Sequence, residues 1–309
     1  MTYAVETQNL TKQYKTALAV DSIDLAIPAG CCCGFLGKNG AGKTTTIKML
    51  VGLKKPTNGK ITIMGMKQTF GSQISIPFGY LPDVPSFYSY MTGGEFLDLS
   101  GKLCGIPKPE RDKRVKELLK QVGLDKTRAR ISGYSRGMKQ RLGIAQAMIN
   151  NPSVIFMDEP VSALDPIGRR DVVEIIRSLK DTTVIFSTHI LSDVEDLCDF
   201  VLIIEKGKIM AQDYMSNLKE HHATGAAVIR FYQPNDATTF RNLALTNGYN
   251  PENRPNPSEL LLHAKNNNMN ELSKTITSML HTNNLAMEYF GAHTPHLEDI
   301  FYEAINKQV

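Results

Sequence analysis

The residues best suited to chemistry lie in one glycine-rich stretch, Gly37-Lys38-Asn39-Gly40-Ala41-Gly42-Lys43-Thr44. It fits the spacing G-x-x-x-x-G-K-[ST], and it lies between an apolar stretch that ends at Leu36 and a helical pattern. Glycines let the backbone curl so that successive N–H groups point at one anion. The Lys43 ammonium adds a positive charge, and the Thr44 hydroxyl is a ligand for Mg²⁺. The stretch therefore predicts a binding site for a nucleoside triphosphate and Mg²⁺.

Three further candidates follow apolar stretches later in the chain. Asp158 and Glu159 end the stretch 154–159, and His189 ends the stretch 183–189. An acid at the end of a central strand is where a phosphate-loop protein holds Mg²⁺, so Asp158 is predicted as the metal ligand. Glu159 suits a base that orients or polarises the attacking water. If its strand lies beside the other two, His189 could donate a hydrogen bond to the γ-phosphate.

Ser135 marks a second candidate anion site. It is a natural N-cap for a helix that continues through apolar residues spaced at the helical period, and the N-terminus of a helix attracts anions. One nucleotide needs only one phosphate loop. Periodicity alone leaves open whose phosphate this helix would contact.

The elements that must position these residues are of two kinds. Near-continuous apolar runs at 31–36, 154–157, 183–186 and 200–204, separated by helical stretches, favour a parallel sheet covered on both faces. Alternation at Ile23, Leu25 and Ile27, with a second such stretch at 61–63, favours a small antiparallel sheet. The pattern predicts an α/β fold, with helices at 43–53, 109–122, 136–150, 168–179 and 190–197.

Charge divides the chain into two parts. Of 35 Lys and Arg and 31 Asp and Glu, residues 1–210 carry 28 and 21, whereas residues 211–309 carry 7 and 10. We therefore predict one domain over 1–210 and a small α+β domain over 211–309. The second is predicted as β-α-β-α-β-α over 226–306, with strands at 226–232, 259–264 and 285–290 and a helix at 269–280. It carries no catalytic constellation.

Composition excludes several classes of protein. Apolar residues make up 42% of the chain, which excludes a disordered chain, and no run of about 18 residues is free of charge, so no membrane span is expected. The N-terminus shows no secretory signal, and a formal net charge of +4 predicts no nucleic-acid partner. Five cysteines without C-x-x-C spacing indicate reduced thiols in a cytoplasmic protein. Three of them, Cys31, Cys32 and Cys33, are predicted as core residues, because alternate side chains on a strand cannot all reach one metal ion.

These motifs, in this order, resemble the ATP-binding subunit of ABC transporters over residues 3–210. Residues 37–45 resemble the Walker A loop, and residues 154–159 the Walker B strand. Between them, 134–138 resembles the family signature, residues 162–165 the D-loop and 187–189 the H-loop. By this resemblance the fold is a P-loop NTPase of ABC type, with an antiparallel β subdomain and a helical subdomain at about 84–153.

The resemblance also implies roles and partners. ATP would contact Tyr14, which stacks on adenine, and the loop residues Gly37, Asn39, Gly40, Ala41, Gly42, Lys43, Thr44 and Thr45. Asp83, at the Q-loop position, would contact the nucleotide and Mg²⁺. Two copies would close head to tail, so that Ser135 and Gly137 of one copy face the γ-phosphate held by the other. Asp165, in the D-loop, would also contact the nucleotide. Integral membrane permease subunits would be the partners, contacted by residues 84–100 at the cytoplasmic face of the membrane.

Departures from the family pattern refine the subfamily. Lys38 replaces the usual Pro, Arg136 and Met138 replace the first signature Gly and the Gln, and Asp83 replaces Gln. A basic residue followed by Gly-Met, and the ending Leu297-Glu298-Asp299-Ile300-Phe301, are similar to ABC-2 type exporters of the drug, bacteriocin-immunity and sodium-efflux kinds.

Two alternatives to an exporter ATPase remain open from sequence. The first is a soluble ABC-type ATPase that acts on ribosomes or nucleic acid, although such proteins typically carry two ATPase domains or long insertions. The second is a binding module that has lost hydrolysis, against which the presence of Lys43, Asp158, Glu159 and His189 argues.

Overall fold

The computed structural model describes residues 2–15, 17–70, 78–162, 164–221, 225–265, 268–293 and 295–306. Two units are formed, Met1–Met215 with Phe301–Val309, and Ser216–Ile300. The strands of the first unit are β1 (Tyr3–Tyr14), β2 (Ala17–Ile23), β3 (Ala26–Pro28), β4 (Cys32–Leu36), β5 (Asn58–Ile63), β6 (Met66–Lys67), β7 (Phe78–Leu81), β8 (Val154–Asp158), β9 (Thr183–Thr188), β10 (Phe200–Glu205) and β11 (Lys208–Tyr214). Its helices are α1 (Lys43–Leu50), α2 (Gly93–Leu103), α3 (Lys108–Gln121), α4 (Arg136–Met148), α5 (Pro166–Arg177) and α6 (Leu191–Leu197), and α7 (Met215–His221) follows at the boundary.

A six-stranded mixed sheet carries the chemistry. Its order is β11-β10-β4-β9-β8-β7, parallel throughout except for β11, which pairs antiparallel with β10. The four predicted apolar runs are its central strands, and every residue of β8 and β9 is buried. Such two-sided burial explains why these strands are continuously apolar. The edge strands β7 and β11 were not predicted from the sequence.

A second, antiparallel sheet has the order β2-β1-β5-β6, with β3 also paired to β1. The single alternating strand predicted across Ile23 to Ile27 is wrong in one respect, because it divides into β2 and β3. The Thr7 hydroxyl bridges this break. It donates to the Ile23 carbonyl and accepts from the Leu25 N–H, both at 2.9 Å, so the interrupted backbone keeps its hydrogen bonds.

Helices α2, α3 and α4 pack on one another between β7 and β8 in the chain order. Helix α2 was not among the helices predicted from the sequence. Its start carries a capping box, in which the Thr92 hydroxyl accepts from the Glu95 N–H and the Glu95 carboxylate accepts from the Thr92 N–H. The S/T-x-x-E spacing of Thr92 and Glu95 was the signal available in the sequence.

The second unit has the strands β12 (Ala226–Phe231), β13 (Glu252–Asn253), β14 (Glu259–His263) and β15 (Met287–Ala292), and the helices α8 (Pro234–Thr246), α9 (Met269–Thr282) and α10 (Leu297–Asn306), the last of which ends in the first unit. The sheet order is β13-β14-β12-β15, antiparallel throughout. The predicted alternation of three strands and three helices is present, with β13 added. Apolar faces of α8 and α9 bury Phe240 and Ile276 in the core of this sheet. Within the described part of the chain, no helix combines the length and apolar character that crossing a membrane requires.

Candidate active site

The glycine-rich loop joins the end of β4 to the start of α1. Gly42 is the N-cap of α1 with φ +115°, and a Cβ there would lie 2.7 Å from the Ala19 carbonyl oxygen. Both the backbone conformation and the close approach require glycine at this position. The first N–H groups of α1 have no helical partners, and α1 has no side-chain cap, so they face the loop as anion-binding donors.

Lys43 lies inside this loop and is only 4% exposed. Its Nζ donates to the carbonyl oxygens of Gly37 at 2.6 Å and Lys38 at 3.3 Å, which holds the ammonium against the curled backbone. The same Nζ lies 3.4 Å from Oε1 of Glu159. A buried ammonium is stable only when paired, and here two carbonyls and one carboxylate pair it.

Asp158 ends β8, and it is paired in register with Ser187, the second-last residue of the neighbouring parallel strand β9. Ser187 Oγ donates to Asp158 Oδ1 at 2.7 Å, and Thr44 Oγ1 donates to the same oxygen at 3.0 Å. Asp158 is 1% exposed. A carboxylate beside a hydroxyl at the edge of a phosphate loop is a hard-oxygen donor set, which suits Mg²⁺ completed by phosphate and water oxygens. The residues therefore fit the predicted metal.

Glu159 adopts φ +49°, a left-handed conformation uncommon for a residue with a side chain. Its N–H donates to Ser187 Oγ at 3.0 Å, which helps to hold the turn. In this position the Glu159 carboxylate lies between the Lys43 ammonium and the His189 ring. One oxygen lies near Lys43, and the other lies 3.0 Å from Nδ1 of His189, which follows β9.

Asp83 lies at the rim of the same site. Ser162 Oγ lies 3.4 Å from Asp83 Oδ1 and donates to the Glu159 carbonyl oxygen at 3.1 Å. The loop after β8 is thereby connected to the segment that follows β7.

These groups surround a pocket of about 360 Å³. Nine of the predicted residues line it: Asn39, Gly40, Gly42, Lys43, Thr44, Thr45, Asp83, Glu159 and His189. Gly37 and Asp158 do not line the pocket but accept hydrogen bonds from two lining residues, Lys43 and Thr44 respectively. Ala41 is buried. Three lining residues that the sequence analysis did not predict as ligands are Ala19, Lys38 and Ser162.

Tyr14 does not line this pocket. Its hydroxyl accepts from Lys54 Nζ at 2.8 Å, and that hydrogen bond lowers the pKa of Tyr14. The Nζ atoms of Lys54 and Lys12 lie 4.7 and 5.3 Å from the centroid of its ring, within the range of cation–π attraction.

Ser135, Gly137 and Asp165 also lie outside the lining of the pocket. Ser135 caps α4, accepting from the Met138 N–H at 3.2 Å, and it is exposed. Asp165 caps α5, accepting from the Gly168 N–H at 3.1 Å. A Cβ on Gly137 would lie 3.8 Å from the Gly168 Cα, so the starts of α4 and α5 are close neighbours. These three predicted residues lie at the neighbouring starts of α4 and α5, outside the pocket lining of their own chain.

Two residues near the site were not predicted from the sequence in the roles they have here: Ser187, as the link between Asp158 and Glu159, and Tyr80. Ser187 is fully buried and joins Asp158 to the Glu159 backbone, and this relation depends on the register of β8 and β9, which the sequence does not show. Tyr80, on β7, has a buried hydroxyl without a hydrogen-bond partner among the described residues. Burial, and then the charges of Asp158 and Asp83, raise the pKa of Tyr80 to about 12.

Comparison with known proteins gives one consistent result. Residues 20–162 match the family model described as ABC transporter. The uncharacterized ABC transporter ATP-binding protein YxlF of Bacillus subtilis (strain 168) is 44% identical over 219 residues, 70% of this chain and 73% of YxlF. The bacitracin transport ATP-binding protein BcrA of Bacillus licheniformis is 40% identical over 228 residues, 72% of this chain and 73% of BcrA. A solved structure described as the ATP binding subunit of an ABC transporter is 29% identical with a TM-score of 0.64, and the match covers 71% of this chain and 92% of that one.

Proposed function

This chain belongs to the ABC transporter family as an ATP-binding subunit with ATPase activity, and from that premise we propose that it energises export of a substrate through separate transmembrane subunits. The family and the fold class predicted from the sequence are confirmed. The observation that supports the hydrolytic step of the proposal is the placement of the Glu159 carboxylate between Lys43 and His189 in the pocket. Such a constellation serves hydrolysis, whereas binding alone requires only the loop.

The pocket suits a triphosphate because its positive groups converge. Lys43, Lys38 and the free N–H groups at the start of α1 meet in one loop. The triphosphate would replace Glu159 as the anionic partner of the Lys43 ammonium. ATP would contact Gly37, Asn39, Gly40, Ala41, Gly42, Lys43, Thr44 and Thr45.

Thr44 and Asp158 would hold Mg²⁺, and Asp83 at the rim would contribute directly or through water. When bound, Mg²⁺ neutralises charge on the transferred phosphoryl group. Ser187 and Thr44 both donate hydrogen bonds to Oδ1 of Asp158, which would hold this carboxylate in place beside the metal.

Glu159 would orient the attacking water and accept its proton. Its carboxylate becomes available for this task when the triphosphate replaces it as the partner of Lys43. His189 would then turn its ring toward the γ-phosphate. The ring is free to do so because the His189 side chain is 44% exposed.

Ser135, Gly137 and Asp165 would complete the site of a second copy. Ser135 is exposed at the start of α4, where helix N–H groups attract anions, and it is not among the residues that line the pocket of its own chain. A head-to-tail dimer puts this start against the γ-phosphate held by the other copy, so the proposed unit is a symmetric dimer. Tyr14 would stack on adenine at the edge of each pocket after its lysine neighbours rearrange.

The proposed partners are integral membrane permease subunits, contacted from the cytoplasmic side. BcrA is named a bacitracin transport protein, and this similarity favours export as the process that the chain energises. Val84, Tyr88 and Tyr90 are 71%, 53% and 62% exposed in the segment before α2, and such apolar exposure is typical of a protein-binding surface. No nucleic-acid partner is proposed.

The test is reconstitution. The chain is purified with the membrane protein encoded beside it and placed in vesicles, and ATP hydrolysis is measured with and without that protein and Mg²⁺. We expect Mg²⁺-dependent hydrolysis that the membrane protein stimulates and that Val84→Asp/Tyr90→Asp uncouples without changing the basal rate. Stimulation by ribosomes or DNA in place of the membrane protein would overturn the transport proposal in favour of the soluble alternative.

A further inference from the structure

Another pocket, of about 310 Å³, lies in the C-terminal unit. Helix α8 forms one wall with Thr238 and Arg241, and the segment from the end of β13 to the start of β14 forms the other with Arg254 and Glu259. All of its lining residues belong to residues 216–300, so the pocket is built within one unit. The ATPase site does not use it.

The two arginines of this pocket have no partners in the part of the chain that the structure describes. The Nε atoms of Arg241 and Arg254 are both buried without a hydrogen bond. Buried polar groups in folded proteins are nearly always paired, and a buried donor left unpaired is unfavourable. These two Nε atoms are closed to solvent and to a ligand. Neither arginine forms an ion pair among the described residues, however, so two positive charges at this pocket have no acceptor within the described part of the chain.

The carboxylate in the pocket does not supply that acceptor. Glu259 Oε1 lies 2.6 Å from the Nε atom of Arg230, and this hydrogen bond raises the pKa of Arg230. The negative charge of Glu259 is therefore compensated by Arg230, and the charges of Arg241 and Arg254 are left over. The pKa of His293 is lowered first by burial and then by the positive charge of Arg254, as expected if that charge is not compensated by a nearby carboxylate.

We propose that this pocket binds the phosphate group of a small molecule. A phosphate dianion compensates two guanidinium charges, and its three terminal oxygens accept from two separate arginine forks. A single carboxylate carries one negative charge and would leave one arginine uncompensated. The volume of the pocket admits a phosphate with a small organic substituent and is at the lower limit for ligand sites.

Calorimetric titration of the full chain tests this proposal. The ATPase site is first filled with Mg²⁺ and a non-hydrolysable ATP analogue, so that phosphate cannot enter the glycine-rich loop. Inorganic phosphate and glycerol phosphate are then titrated. We expect both to bind, and we expect Arg241→Gln/Arg254→Gln to weaken binding by at least about tenfold, because two charge-assisted hydrogen-bond partners are removed.

Lys274→Gln is the matched control. It removes one positive charge from an exposed position on α9 outside the pocket, and it should leave phosphate binding unchanged. Equal loss in this control would mean general electrostatic attraction and would overturn the proposal. Undiminished binding in the double variant, or acetate binding as tightly as phosphate, would also overturn it.

Thermal unfolding without phosphate separates a binding role from a structural one. Because both guanidinium groups lack partners, the double variant should unfold at the same temperature as the wild type or higher, and phosphate should raise the unfolding temperature of the wild type alone. A variant that unfolds earlier without ligand would show that the arginines stabilise the fold. Arg254→Gln alone provides the same comparison if the double variant is not obtained folded.

Discussion

The Nδ1 atom of His189 lies 3.0 Å from the Oε2 atom of Glu159. These residues follow two neighbouring parallel strands, β8 and β9, whose register sets Asp158 beside Ser187. The second oxygen of Glu159 lies 3.4 Å from the Lys43 ammonium. The carboxylate thus contacts both groups that are proposed to act on the γ-phosphate, which makes its removal the most informative change.

Glu159→Gln should lower the ATPase turnover rate by at least about a hundredfold, because an amide cannot accept the proton of the attacking water. ATP affinity should be retained or increased, because Lys43 loses an anionic neighbour. ATP-dependent dimerisation, measured by light scattering, should persist. Glu117→Gln is a control that removes an exposed carboxylate outside the pocket. Turnover like that of the wild type in Glu159→Gln would refute the role assigned to Glu159.

Ser135→Arg and Lys43→Ala should each abolish hydrolysis in a pure dimer. Mixing the two variants should restore activity, because a mixed dimer then has one site with both Lys43 and Ser135 intact and one site with neither. If Ser135 served the pocket of its own chain, no site in the mixture would be intact. The check is the ATPase rate of the mixture against each pure variant, and a mixture as inactive as its components would exclude the arrangement across the dimer.

Ser187→Ala should reduce the free energy of unfolding by about 1–3 kcal/mol, since it leaves the buried Asp158 carboxylate and the Glu159 N–H without this hydroxyl. The turnover rate should also fall, because the Glu159 turn is less firmly held. Urea unfolding and steady-state hydrolysis measure the two effects. Ser89→Ala, at an exposed position, should change stability by less than about 0.5 kcal/mol. Equal stability of the two variants would contradict the assignment.

Tyr80→Phe should leave the protein as stable as the wild type or more stable, by up to about 1 kcal/mol, because it removes a buried hydroxyl that has no partner among the described residues. Tyr14→Phe is the contrasting variant, since its hydroxyl accepts from Lys54. Thermal unfolding compares them. A clear loss of stability in Tyr80→Phe would mean that its hydroxyl is paired in solution.

Alkaline pH should destabilise the protein through its buried thiols. Burial raises the pKa of Cys31 to about 12 and raises the pKa of Cys33 well above its usual value, so both stay protonated in the folded chain. In the unfolded chain thiols ionise near pH 8.5, so their contribution is complete below about pH 8.5 and is lost as the pH rises. Each thiol should lower the free energy of unfolding by about 1.4 kcal/mol per pH unit above that value.

Urea unfolding under reducing conditions, between about pH 8 and about pH 9.5, measures this slope. Cys31→Ala should reduce the slope by about 1.4 kcal/mol per pH unit, the share of one thiol, whereas Cys104→Ala, at an exposed thiol, should leave it unchanged. A free energy of unfolding that is flat across this range in the wild type would contradict the prediction.

Local signals made much of the fold predictable. The apolar runs of β4, β8, β9 and β10 were readable because both faces of these strands are buried, and the start of α4 was readable from the Ser135 cap. The helix α2 had an equally local signal in Thr92 and Glu95. The edge strands β7 and β11 and the split between β2 and β3 had none, because their pairing depends on distant partners such as Thr7.

The sequence by itself determined the chemistry: a glycine-rich loop with Lys43 and Thr44, and strands that end in Asp158, Glu159 and His189. These choices are local, because a loop conformation and the residue that ends a strand are set by near neighbours. Only the tertiary structure decided that Glu159 contacts both Lys43 and His189, that Ser187 joins Asp158 to Glu159, and that Ser135 does not line the pocket of its own chain. Those relations follow from the order and register of the strands, and strand order is a property of pairing between residues far apart in the chain.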